Sequence, residues 1–114
     1  MISVSPERFD DLVDAAIDLI PDSFLDQLGN VVILVEDRNP EEPTLLGLYE
    51  GVPLTERLAD HSGLPDVIHL YRLALADICR TDDELVEQVR ITLLHEVGHF
   101  FGMDEDDLDN VGYA

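Results

Sequence analysis

The 114-residue chain has no lysine, no tryptophan, a single cysteine and no long apolar run. Each absence removes a class of protein. Its six basic residues are all arginine and stand against 26 acidic ones, giving a formal charge of −20. A phosphate backbone would repel such a surface and release no counterions to it, so a nucleic-acid partner is not expected. An anionic membrane surface is disfavoured for the same reason. Cys79 cannot form an intramolecular disulfide, so the chain is not a small disulfide-stapled scaffold. It sits in the apolar stretch LALADICR and reads as a buried, inert thiol. The opening MISVSPERFDDL lacks the basic patch and apolar run of a signal peptide. No segment approaches the roughly 18 apolar residues that a membrane span needs. The compartment expected from these absences is the cytoplasm.

Apolar residues nevertheless make up 46% of the chain, far too many for a disordered acidic tail. The length fits a single domain over residues 1–114. A domain this small has a modest core, to which a bound metal could add stability. The acidity suits a solvated or salt-adapted surface, and also cationic or metal partners.

Ser5-Pro6 marks a helix start. Phe9, Leu12, Val13, Ala16, Ile17 and Ile20 follow at helical spacing, and Pro21 ends the run. A short helix over Ser23–Leu28 would stop at Gly29-Asn30. Val31–Val35 is a β-branched apolar run that reads as a strand buried on both faces. Arg38–Pro43 is loop-like, Thr44–Glu50 a second strand, and Gly51 a turn. Pro53–Pro65 is irregular, Asp66–Tyr71 a third strand, and Arg72–Arg80 helical or mixed. Thr81-Asp82-Asp83-Glu84 is a capping box that opens a helix running to about Phe101. The second half of that helix, ITLLHEVGHFF, is apolar nearly all round and belongs at the centre of the fold. Gly102 would end it, and the acidic segment Asp104–Asn110 would follow as a last turn.

The chemistry lies in His95-Glu96-Val97-Gly98-His99. Two histidines four apart share one helix face, so both imidazoles can reach a single ion. Glu96 can then take a proton from water activated at that ion without itself being a ligand. Zinc suits the arrangement because it lowers the pKa of a bound water to about 7. Without a metal, two histidines and a glutamate would be poorly placed in so apolar a setting. A third ligand must come from elsewhere. No histidine follows His99, so a three-histidine site would need His61 or His69 from upstream. The run Asp104-Glu105-Asp106-Asp107 offers carboxylates instead. Glu105, just beyond the glycine turn, is preferred, with Asp104 the alternative.

His69 shares a strand face with Val67 and Tyr71 and reads as a satisfied, partly buried histidine. His61 follows Asp60 in a loop and reads as solvent-exposed. Tyr49, Tyr71 and Tyr113 could steady an oxyanion, but packing is the expected role of each. Gly98 would let another segment pass close to the helix, or serve close packing alone.

The stretch HEVGHFFGMDEDDL, with LGLYEGVPL and LPDVIHLYR upstream, resembles the small bacterial zincin-like metallopeptidases, the minimal zincins. The resemblance runs from about Phe9 to Leu108. It is similar to an extended metzincin motif with Gly102 and an acidic residue at 105 in place of a third histidine. Met103 directly follows Gly102 and cannot form a downstream methionine turn. The resemblance implies an α+β fold, with a small mixed sheet packed on an N-terminal helix and an active-site helix, and zinc in the cleft between. It implies a zinc-dependent peptidase acting on a peptide or protein substrate, with His95, His99 and Glu105 on the metal and Glu96 catalytic. The short stretch after His99 leaves no room for a C-terminal subdomain. That favours a second expectation, a metal-binding regulatory or interaction module of the same fold without general proteolytic activity. A peptidase dedicated to one regulatory protein would look the same on generic substrates.

Overall fold

The computed structural model describes residues 1–28, 31–51 and 66–100. The elements run α1 (Pro6–Asp18), α2 (Asp22–Leu28), β1 (Val31–Glu36), β2 (Gly47–Glu50), β3 (Asp66–Tyr71), α3 (Arg72–Asp77) and α4 (Asp82–Phe100). This is the expected α+β arrangement. No described helix is long and apolar enough to cross a membrane.

Helix α1 starts where Ser5 Oγ accepts the Arg8 N–H at 3.1 Å, with Pro6 in the first turn. It buries Phe9, Leu12, Val13 and Ala16 and lies against α4. Arg8 closes the contact at its open end by pairing with Asp82, 2.9 Å away at the start of α4. Helix α4 is capped by Thr81 Oγ, which accepts the Glu84 N–H at 3.1 Å. The Glu84 carboxylate reaches back to the Arg80 N–H at 2.9 Å, one residue before the partner a standard capping box would use. From there α4 touches β2, β3, α1 and α3, so it is the central element its all-round apolar pattern indicates. Leu85, Val89, Leu93, Leu94, Val97 and Phe100 are all buried along it. Its expected last residue, Phe101, lies outside the described residues, as do Gly102, the acidic segment after it and Pro53–Pro65.

The sheet has the order β1-β3-β2, with β3 parallel to β1 and antiparallel to β2. Alternation puts Ile68 and Leu70 of the central strand on the face toward the helices, where both are fully buried. One expectation is corrected here. Strand β1 is not buried on both faces: Val32 and Leu34 are 44% and 45% exposed. A run of five apolar residues carries no polar alternation to reveal this. β1 is an edge strand, and the described helices cover only the face that carries Ile33 and Val35. The second strand also starts later than Thr44. The Glu42 carbonyl accepts the Leu45 N–H at 2.9 Å in a turn, and pairing with β3 begins where Tyr71 N–H meets the Leu46 carbonyl at 3.0 Å.

Cys79 is fully buried, as expected, and burial beside the Glu84 carboxylate pushes its thiol above the usual range.

Gly47 sets the distance between sheet and helix. A Cβ there would lie 2.6 Å from Thr92 Cγ2 and 3.0 Å from the His69 carbonyl oxygen. The backbone oxygen cannot swing away, and Thr92 is itself held in a buried helix position. Gly47→Ala is therefore expected to cost about 1–3 kcal/mol of stability, measured by urea denaturation. Adding Thr92→Ser removes Cγ2 and should recover part of that loss. An unchanged midpoint in the single variant would mean that β2 and α4 lie further apart than described.

Candidate metal centre

The last two turns of α4 carry His95, Glu96 and His99. Helical spacing stacks the two histidines on one face, with ring centroids 4.7 Å apart and planes at 74°. Both are half-buried, whereas Glu96 is buried at 6% exposure. Each residue offers one ligand atom, and these atoms all lie within 4.8 Å of one another.

A buried carboxylate is costly unless hydrogen bonds replace its water. Glu96 Oε1 has two such partners. It accepts the Tyr49 N–H at 3.0 Å and lies 3.0 Å from His99 Nδ1. The first bond follows from the register of the sheet. Tyr71 donates to Leu46, so the alternation of an antiparallel ladder turns the Gly47 and Tyr49 amides away from β3. Glu96 thus accepts from a β2 amide that the ladder turns away from β3. The second contact orients a histidine. When His99 Nδ1 carries the proton it donates to Glu96, which leaves Nε2 as the basic nitrogen of the ring, the form in which an imidazole binds metal. Two imidazoles side by side on one helix face are nitrogen donors of the kind zinc takes, with the Glu96 carboxylate next to them.

A cleft of about 620 Å³ opens beside His95 and Glu96. One wall is the α4 face that carries Gln88, Ile91 and Thr92, and the other is the approach to β2, from Glu42 to Gly47. The α4 half of this wall was open to reading, because Gln88, Ile91 and Thr92 precede His95 by seven, four and three residues. The β2 half depends on tertiary contact and left no local signal.

The remaining candidates fall elsewhere. Glu105, Asp104, His61 and Tyr113 lie outside the described residues. His69 pairs in register with Leu48, whereas the neighbouring pair Leu70 and Gly47 faces α4, so His69 lies on the opposite face from His95 and His99. Its Nδ1 contacts the Glu36 carboxylate, its ring stacks on Tyr71 at 6.1 Å, and among the described residues its buried Nε2 has no hydrogen-bond partner. Glu50 Oε2 is 3.7 Å from that nitrogen. Tyr49 and Tyr71 serve packing, as expected. Tyr49 donates its hydroxyl to Asp66 Oδ2 at 3.0 Å and meets the Phe100 ring edge-on. Tyr71 is 2% exposed, and its hydroxyl accepts from Asn39 Nδ2 at 3.0 Å.

A family model described as zincin-like metallopeptidase matches residues 28–113. Among solved structures, the chain is similar to a conserved hypothetical protein from T. thermophilus. The two share 25% identity with a TM-score of 0.59, over 86% of this chain and 94% of that one. No curated protein matches.

The Tyr49 amide makes the local energetics testable. Glu96→Gln keeps an oxygen acceptor for the Tyr49 N–H, whereas Glu96→Ala leaves that amide unsatisfied. In metal-free protein, Glu96→Ala is expected to be less stable than Glu96→Gln by about 1–3 kcal/mol in urea denaturation. Equal stabilities would mean that the Glu96 contact to β2 contributes nothing.

Proposed function

Since the chain belongs to the zincin-like metallopeptidase family, we propose that it hydrolyses peptide bonds, with zinc held by His95, His99 and Glu105 and with Glu96 as the proton carrier. The observation that carries this reading is the convergence of His95, Glu96 and His99, the first two of which line a cleft that also borders β2. Bound zinc supplies Lewis acidity, which brings the pKa of water to about 7.

The chain's own residues do the rest. Among the described residues, β2 is paired on one side only, and its outward amides lie beside the cleft. An extended peptide adds to this edge as a further strand, with its backbone bonded to Gly47 or Tyr49. In doing so it takes over the Tyr49 N–H and releases Glu96 Oε1. Glu96 then accepts a proton from the attacking water and delivers it to the departing amine. His99, no longer sharing Glu96 with the strand, still holds that carboxylate close to the reacting bond. Gly47 lets β2 and α4 approach closely enough for this exchange. The proposed setting is the cytoplasm, in keeping with a free, buried thiol.

Two outcomes test the assignment. Elemental analysis of untagged protein should find about one zinc per chain, none in His95→Ala or His99→Ala, and weakened retention in Glu105→Ala. Unchanged affinity in Glu105→Ala would move the third ligand to Asp104 or another residue.

Glu96→Gln should retain zinc yet lose about 10²–10⁴-fold in cleavage of a peptide mixture followed by mass spectrometry. Full zinc occupancy with no cleavage of any peptide by wild type would favour the metal-stabilised interaction module instead.

A further inference from the structure

The cleft beside the candidate centre has a composition that selects among substrates. Its middle is apolar: Leu45 and Leu46 on the approach to β2 face Ile91 on α4. Exposed Glu42 stands at its rim, and among the described residues no arginine lines it. The nearby cations are otherwise engaged. Arg38 donates to the Pro43 carbonyl at 3.1 Å and pairs with Asp77 at 2.8 Å, while Arg90 pairs with Glu87. Glu42 itself has no ion-pair partner among the described residues. Its backbone is held in place, because its N–H donates to Asn39 Oδ1 at 2.9 Å and its carbonyl accepts from Leu45 N–H at 2.9 Å.

We infer that this cleft is a subsite for a long cationic side chain, arginine or lysine, on a residue flanking the scissile bond. The inference rests on the peptidase reading for the words scissile bond, but the binding chemistry stands on the cleft alone. The aliphatic stem lies between Leu45, Leu46 and Ile91, and the charged head reaches the rim at Glu42. Such a side chain satisfies both parts of the wall at once. A purely apolar side chain fills the middle and leaves the Glu42 end to water. An acidic one meets Glu42 and Glu96 with like charge. The overall charge of −20 acts in the same direction by drawing cationic peptides toward the surface. Glu42 is exposed, so its contribution is that of a solvent-facing pair and should weaken with salt.

The test uses zinc-loaded full-length Glu96→Gln, which does not turn over substrate, and a set of hexapeptides that differ at one central residue. Fluorescence anisotropy at low salt should give arginine and lysine peptides a Kd about fivefold lower than the norleucine peptide. The glutamate peptide should bind weakest. Adding Glu42→Gln should bring the arginine-to-norleucine ratio close to unity, as should raising the salt. Equal affinity for norleucine and arginine, a ratio untouched by Glu42→Gln, or no binding of any peptide overturns the subsite. The same peptides offered to wild type separate the two readings. Binding preference without cleavage sinks the peptidase and keeps the subsite. Cleavage without preference sinks the subsite and keeps the peptidase.

Discussion

The hydrogen bond from the Tyr49 amide to Glu96 Oε1, 3.0 Å long, ties the sheet to the helix that carries the chemistry. It exists because three conditions hold together. The ladder register turns that amide outward, Gly47 removes the Cβ that would hold β2 off α4, and Glu96 lies with Thr92 on the α4 face turned toward β2. A one-residue slip of β2 would present a different set of side chains to the helix and point Leu48 into Thr92. The register is protected by burial, because Ile68 and Leu70 of the central strand must face the helices. Core packing therefore sets the geometry of the polar site, and the site has no independent scaffold of its own.

Much of this was open to reading along the chain, and the boundary between the legible and the hidden has physical causes. Helix α4 could be read from both ends. Its cap uses local chemistry at Thr81 and Glu84, and its histidine pair depends only on helical spacing. Strand β3 was equally clear, with Asp66 and Tyr71 as its observed ends. The sidedness of β1 was hidden because Val-Val-Ile-Leu-Val looks the same whether one face or two are covered. What covers a strand is decided by where the helices end up. The cleft rim was hidden for a similar reason. Glu42 is one of two adjacent glutamates in a proline-flanked loop, and its place beside Ile91 follows from the turn that Asn39 organises. Glu105, the third ligand that spacing and resemblance suggest, lies beyond the last described residue.

Helix α4 must satisfy two demands that usually conflict. It is the most connected element of the core, touching β2, β3, α1 and α3. It also carries a buried glutamate and two half-buried histidines in its last turns. A helix serving the core alone would place apolar side chains at those positions and gain stability from them. Division along the length eases the conflict. Leu85 and Val89 fill the first half, and the polar triad is confined to the C-terminal turns, where one flank opens on the cleft. Whatever polar cost remains is met partly by Tyr49 and His99 and partly by any ion the site binds, since a ligand that binds only the folded state stabilises it. In a domain with so few buried residues that coupling is large relative to the whole. Glu96, held by the Tyr49 amide on one side and lying against His99 on the other, is the residue at which the two demands meet.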